Sequence, residues 1–281
     1  MKETGKQTLF ITDLDGTLLT PEKTISIHSA ESLNRLMDQG MLFSIATARS
    51  AASTVDLLRP LRITLPIVLM NGVFLYDLQK ETYLDTRPLP PETAERALSL
   101  LRAHGKTPFL YRLEENSICV EYEQLDNEAE QDFYQERAGM VYKKFHHVER
   151  LFSRGEAPVV YLTMIDTQEL LEPVYCQICQ EGWASAAFYH DNYSDYWYLE
   201  IYSKEASKES GARAVMKHCG ASRLVAFGDN MNDVGMLSAA DEGYAVANAQ
   251  QAVKKIATKV IETNSKDGVA KFLTENYTKY I

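Results

Sequence analysis

The chain has 281 residues, of which 45% are apolar and 24% charged. At about 150 residues per domain the length suggests two domains, and the composition excludes a disordered chain. Lys and Arg number 29 against 39 Asp and Glu, a formal net charge of −10, which argues against general nucleic-acid or anionic-membrane binding and leaves room for a local site for a small anion.

The segment from Met1 to Thr8 is polar. Leu9-Phe10-Ile11 follows and is broken at once by Thr12 and Asp13. No signal peptide is readable there, and no stretch reaches the roughly 18 apolar residues that span a bilayer. A cytoplasmic protein is expected. Leu9-Phe10-Ile11 suits a short buried parallel strand. Ser26 is a helix N-cap; Ile27, Ala30, Leu33, Leu36 and Met37 recur at helical spacing, and Gly40 stops the helix. Met41 to Ala46 is the next strand. It runs into Thr47-Ala48-Arg49 and a second helix through Val55 and Leu58. Ile67-Val68-Leu69-Met70 is a third buried-type strand ending in Asn71-Gly72. Strands alternating with helices predict βαβ units and a parallel sheet.

The pattern then changes. Arg87-Pro88-Leu89-Pro90-Pro91 is a stiff hinge, followed by an amphipathic helix from Glu92 to His104. The strands Ile118–Tyr122, Val159–Thr163, Ala187–Tyr189 and Trp197–Ile201 alternate more, as half-buried antiparallel strands do. Helices are predicted over Asn127–Ala138 and Thr167–Glu181, with Pro173 kinking the second or limiting its start. Cys176 and Cys179 form a C-x-x-C there. With Cys119 and Cys219 isolated, no second pair closes a zinc site. The pair reads as two small residues on a helix, and His146-His147 as surface or packing residues. From Lys208 the βα rhythm returns: a helix over Glu209–Cys219, a strand Leu224–Phe227 ending in Gly228-Asp229, a helix from Met231 to Ala240, short strands at Tyr244–Val246 and Val260-Ile261, and a last helix from Gly268 to Glu275. The predicted class is α/β: a Rossmann-like parallel-sheet core, residues 1–87 and 204–281, with an inserted α+β domain, residues 88–203.

Ligands of open parallel sheets sit beyond the carboxyl ends of the strands. Those ends carry Asp13-Leu14-Asp15-Gly16-Thr17, Thr47, Asn71-Gly72 and Gly228-Asp229-Asn230-Met231-Asn232-Asp233. Singly, each is an ordinary turn or cap residue; their joint occurrence points to one chemistry. A phosphate ester repels an anionic nucleophile. A hard cation such as Mg²⁺ offsets that repulsion and takes oxygen ligands, which Asp13 and Asp229 supply. Lys208 adds a positive point charge for the phosphate, in preference to Lys204. Thr47 and nearby backbone N–H groups fill the remaining oxygens. If the first strand continues through Asp13 and Asp15, both carboxylates face one way. One attacks phosphorus while the other donates a proton to the leaving oxygen.

Asp13-x-Asp15-Gly-Thr-Leu-Leu, Thr47-Ala-Arg, Asn71-Gly, Ser207-Lys208 and Gly228-Asp229-x-x-Asn232-Asp233 resemble the haloacid dehalogenase (HAD) phosphatases. The similarity is to the Cof-type branch with a large α/β cap (type IIB). It runs over nearly the whole chain, including Ala247-Asn248-Ala249 and Asp267-Gly268-Val269-Ala270 near the end. The resemblance implies that Asp13 is the nucleophile and forms an aspartyl-phosphate, and that Asp15 is the acid and then the base. It implies Mg²⁺ on Asp13, the carbonyl of Asp15 and Asp229, with Asn230 contributing. Phosphate is held by Leu14, Thr47, Ala48, Lys208 and Asn232. Asp233 orients the lysine or braces its loop, with Asn71 and Gly72 in support. Two positions depart from the branch: Ala48 stands where it has Gly, and Glu209 follows the lysine in place of Gly. The expected activity is Mg²⁺-dependent hydrolysis of a small phosphomonoester such as a sugar phosphate, with a small phosphorylated metabolite as partner and neither nucleic acid nor membrane. The alternatives are a phosphosugar mutase or phosphotransferase, a phospho-ligand sensor, and a receiver domain. The last is disfavoured because Asp13 follows the first strand and Asp15 supplies an acid.

Overall fold

The computed structural model describes residues 7–139, 143–190 and 194–281. The chain divides into two compact units, Met1–Asp85 with Ser207–Ile281, and Thr86–Ala206. In chain order the first stretch holds β1 (Thr8–Thr12), α1 (Ile27–Asp38), β2 (Leu42–Ile45), α2 (Ala51–Leu58), β3 (Ile67–Leu69), β4 (Phe74–Asp77) and β5 (Thr82–Thr86). Next come α3 (Pro91–Ala103), β6 (Phe109–Glu114), β7 (Ser117–Tyr122), α4 (Glu128–Arg137), β8 (Lys143–His147), β9 (Val159–Asp166), α5 (Gln168–Glu181), β10 (Ser185–His190) and β11 (Trp197–Tyr202). The chain closes with α6 (Lys208–Cys219), β12 (Arg223–Gly228), α7 (Val234–Ala239), β13 (Glu242–Val246), α8 (Gln251–Ile256), β14 (Lys259–Ile261) and α9 (Gly268–Asn276).

The discontinuous unit is built on a parallel sheet of order β14-β13-β12-β1-β2. Its central strands are apolar on both faces because helices cover both: Leu9, Phe10, Ile11, Leu224, Val225, Ala226 and Phe227 are all buried. The chain leaves β1 toward β2 on one side, while β12, β13 and β14 lie on the other. That reversal opens a crevice at the carboxyl ends of β1 and β12, where open α/β sheets bind ligands. The third predicted strand differs from the reading above. β3 joins the end of β2 in a single parallel bridge, Ala46↔Val68, and pairs antiparallel with β4. The hairpin partners β4 and β5 were not anticipated.

The inserted unit is a six-stranded sheet of order β10-β11-β9-β6-β7-β8, antiparallel except for the parallel pair β7–β8. On one face α3 and α5 pack Leu98, Leu101, Leu171 and Ile178 against Leu110, Leu162, Met164 and Leu199. Alternate residues of β9 face the other way: Tyr161 stacks on Tyr202 at 5.2 Å and donates to Glu200 at 2.7 Å. The helix α3 begins with Pro91, whose missing N–H costs nothing at a first-turn position. The helix α5 neither starts at Pro173 nor ends there; it runs from Gln168 to Glu181 with Pro173 inside and stops at Gly182 in the left-handed conformation. Cys176 and Cys179 lie exposed on it. The α/β class, with a parallel core and an inserted α+β unit, is as the sequence pattern predicted. Among the described residues no helix is long and apolar enough to cross a membrane.

Candidate active site

The site begins where β1 ends. The Asp13 N–H donates to the Phe227 carbonyl at 3.0 Å, one last rung of the β1–β12 ladder. The chain then turns: Gly16 takes φ +77°, and the Leu19 N–H closes back onto the Leu14 carbonyl at 2.9 Å. The two aspartates therefore do not share a strand face, contrary to the alternation expected above. Asp13 points inward and is 5% exposed. Asp15 lies in the turn and points to the Arg49 guanidinium, which donates to both its oxygens at 2.6 and 2.7 Å.

Lys208 is the first residue of α6. The preceding Ser207 caps that helix, accepting from the Ser210 N–H at 3.0 Å while the Ser210 hydroxyl accepts in return from the Ser207 N–H at 3.0 Å. The Lys208 ammonium, 2% exposed, donates to Asp13 at 2.5 Å and to Asp233 at 2.7 Å. The other oxygen of Asp233 accepts the N–H groups of Asp229 and Asn230 at 2.9 and 3.0 Å. Asp233 thus holds the lysine and braces the loop after β12 at once. Asp229 is fixed by the Thr17 hydroxyl at 2.9 Å.

The other predicted positions lie around this centre. Thr47 is buried; its N–H donates to the Val68 carbonyl at 2.9 Å and its carbonyl accepts from the Asn71 N–H at 3.0 Å. Asn232 donates through Nδ2 to Asn71 Oδ1 at 3.1 Å, joining the fourth strand end to the third. Leu14 is fully buried beneath the turn and Ala48 is half-buried beside Thr47. Asn230 uses Oδ1 to accept from the Met231 N–H and from Gln250 Nε2, each at 2.7 Å. Gly72, at φ +94°, lies so close to Ser207 that any Cβ would overlap the Ser207 backbone. Lys204 is exposed in the turn before α6. Arg49 and Thr17 stand within the motifs, but their roles are not legible in the sequence. Arg49's two donors on Asp15 and Thr17's bond to Asp229 come from tertiary approach, for which their motif positions were the only signal.

The electrostatics follow from the charge count. Carboxylate oxygens of Asp13, Asp229 and Asp233 all lie within 4.8 Å of one another, the one such acidic cluster among the described residues. One ammonium faces three carboxylates. Burial, then the charges of Asp233 and Asp229, push Asp13 well above the ordinary carboxylate range, against the opposing pull of Lys208. Burial and the Asp233 charge push Asp229 up to about 6. Burial would lower the Lys208 ammonium, but Asp13 and Asp233 outweigh it and hold it above its ordinary value. A crowded set of hard oxygen donors short of positive charge suits a divalent cation such as Mg²⁺. Asp13 and Asp229 fit it best, since Asp233 is already spent on Lys208 and two backbone N–H groups.

A family model for haloacid dehalogenase-like hydrolases matches residues 10–273. The chain is 28% identical over 292 residues to the 5-amino-6-(5-phospho-D-ribitylamino)uracil phosphatase YitU of Bacillus subtilis, covering 97% of this chain and 98% of that protein. It is 27% identical over 282 residues to the pyridoxal phosphate phosphatase YbhA of Escherichia coli, covering 93% and 95%. The crystal structure of a haloacid dehalogenase-like hydrolase from Bacteroides thetaiotaomicron superposes with a TM-score of 0.74 at 25% identity, covering 97% of this chain and all of that one.

Proposed function

Because the chain belongs to the haloacid dehalogenase-like hydrolase family and is a phosphatase of it, we propose that it hydrolyses small phosphomonoesters with Mg²⁺ through a phosphoryl group carried on Asp13. The observation that carries this reading is the convergence of Asp13, Lys208, Asp233 and Asp229 at the carboxyl ends of β1 and β12.

Asp13 is the nucleophile: of the two carboxylates bonded to Lys208, Asp233 spends its other oxygen on the Asp229 and Asn230 N–H groups, and Asp13 does not brace that loop. Lys208, Thr47, Asn232 and the backbone N–H groups of Leu14 and Ala48 hold the phosphoryl oxygens. Asp15, on the turn and half exposed, protonates the leaving oxygen and then takes a proton from the hydrolytic water. Asp13, the Asp15 carbonyl and Asp229 would hold Mg²⁺, with Asn230 beside them. When bound, that ion would offset the repulsion between a carboxylate and a phosphate dianion. Asp233 holds the Lys208 ammonium in place at 2.7 Å, so the charge is positioned before the phosphate arrives. The substrate class is small phosphorylated metabolites, sugar phosphates included; the relatives YitU and YbhA are named for phosphate esters of nitrogen heterocycles.

The test is turnover of p-nitrophenyl phosphate by Asp13→Asn. Activity falls to background while the circular dichroism spectrum and melting temperature stay near wild type. Retained turnover would falsify the nucleophile assignment. A panel of phosphorylated metabolites ranked by kcat/KM then identifies the substrate.

A further inference from the structure

The segment between β13 and α8 contributes no residue to the chemistry described above, yet it is bonded to both acidic loops. Asn248 donates through Nδ2 to the Gly16 carbonyl at 2.7 Å, on the turn that carries Asp15. Two residues later, the Gln250 N–H donates to the Asp229 carbonyl at 2.9 Å, and Gln250 Nε2 reaches Asn230 Oδ1 at 2.7 Å. One short stretch of chain therefore grips the loop after β1 and the loop after β12. The loops already press on each other there. A Cβ on Gly16 would overlap the Asp229 carboxylate, and Thr17 donates to that carboxylate at 2.9 Å.

Asn248 is itself held from behind. Its Oδ1 accepts from the Thr263 hydroxyl at 2.9 Å and the Asn264 N–H at 3.1 Å. Asn264 in turn donates to the Leu19 carbonyl at 2.8 Å, at the far end of the same turn. The amide of Asn248 is thus fixed in one orientation, its donor on Gly16 and its acceptor on the chain after β14. The Gly16 carbonyl belongs to the peptide immediately after the Asp15 carbonyl. At a glycine with φ +77° neither peptide is held by a side chain of its own. Fixing one restrains the other.

We infer that Asn248 and Gln250 are positioning residues: they clamp the two acidic loops together and set the separation of Asp13, the Asp15 carbonyl and Asp229 before a cation arrives. Asn248 is exposed at the surface, so its bonds add little to global stability; their effect is local order. Outer residues that orient ligands typically change metal affinity 10- to 100-fold when removed. The inference rests on the metal-dependent phosphatase reading.

The experiment titrates Mg²⁺ against the melting temperature of the full chain, without substrate, and measures kcat and KM for p-nitrophenyl phosphate alongside. In Asn248→Ala the Mg²⁺ concentration for half the thermal shift rises at least about tenfold. At saturating Mg²⁺, KM stays within a few-fold of wild type. Asn248→Asp keeps the acceptor for Thr263 and Asn264 but loses the donor to Gly16, so the clamp makes it as impaired as Ala. If Asn248 merely anchored the chain after β14, Asp would behave as wild type. Gln250→Ala, which keeps its backbone bond to Asp229, shifts the midpoint in the same direction by less. The comparison variant Asn34→Ala, which removes two exposed hydrogen bonds elsewhere, at Pro60 and Arg62, leaves the midpoint unchanged. Wild-type midpoints in both Asn248 variants overturn the clamp. A wild-type chain indifferent to Mg²⁺ overturns it too, whereas failure of the phosphatase reading shows separately, as turnover retained by Asp13→Asn.

Discussion

Three consecutive residues, Met70, Asn71 and Gly72, take φ of 47°, 54° and 94°. For a methionine and an asparagine this left-handed conformation costs of order 1–3 kcal/mol each, which the surrounding bonds must over-determine. The Met70 N–H is held by the Arg49 carbonyl and the Asn71 N–H by the Thr47 carbonyl, each at 3.0 Å. The turn thereby locks the ends of β2 and β3 together beside Thr47. Gly72→Ala adds strain and a clash with the Ser207 backbone. It is expected to lower stability by roughly 2–4 kcal/mol, visible as a lower urea midpoint, and to cut kcat by displacing the start of α6. Arg49 is the second residue whose role only its contacts reveal. It holds Asp15 bidentately, a geometry lysine cannot reproduce. Arg49→Met is expected to lower kcat on an alkyl phosphate about tenfold or more. Turnover of p-nitrophenyl phosphate, whose leaving group needs little proton assistance, falls much less. Equal losses on both substrates would place Arg49 on the phosphate instead of the acid.

At the scale of elements, the site depends on where helices start. Lys208 reaches the crevice because α6 begins at it, and α6 begins there because Ser207 supplies a capping hydroxyl. Ser207→Ala costs about 1 kcal/mol. KM for p-nitrophenyl phosphate should rise as the first turn frays and the ammonium loosens; an unchanged KM with a lowered melting temperature would make the cap structural only. The strands readable in the sequence were those with apolar runs, such as Leu9–Ile11 and Leu224–Phe227. Of those missed, β4 and β6 each carry a buried Phe-Leu-Tyr run, whereas β8 and β5 carry none. The strand β8 is Lys-Lys-Phe-His-His, an edge strand recognisable only by its parallel pairing with β7. The strand β5, Thr-Tyr-Leu-Asp-Thr, is half exposed and polar. Such edges carry charge because solvent faces them and apolar edges would aggregate.

For the whole molecule, stability against pH is set partly in the inserted unit. Burial raises Glu130 to about 7, although its carboxylate accepts the Asp126 N–H at 2.6 Å. An unfolded glutamate loses its proton near 4.5. Between those values the folded chain holds the extra proton, so stability falls as pH rises through that window. Lys143 acts oppositely. Burial, then the Arg137 charge, lowers it from 10.5 to about 7, with the ammonium 4.9 Å from the Tyr111 ring. Between 7 and 10.5 the unfolded chain holds the extra proton, and stability rises with pH. From these two groups the minimum lies near pH 7. Glu130→Gln should raise the urea midpoint at pH 8, by about 1–3 kcal/mol in stability, and leave it unchanged at pH 4. On the catalytic side, EDTA should abolish turnover and Mg²⁺ restore it, assayed on p-nitrophenyl phosphate.

The sequence by itself determined the fold class, the family resemblance and the identity of the acidic and basic residues at the strand ends. These are local properties: apolar runs, caps, and short motifs whose order along the chain survives in one dimension. Only the tertiary structure decided what each of them touches. Asp13 and Lys208 lie 195 positions apart in the chain, yet their side chains meet at 2.5 Å. Asp13 and Asp15, two residues apart, point to different partners because the chain turns between them. Contacts across the sheet depend on how strands order and helices dock, and burial together with the charges brought alongside sets the shifted proton affinities. Neither is written in spacing along the chain.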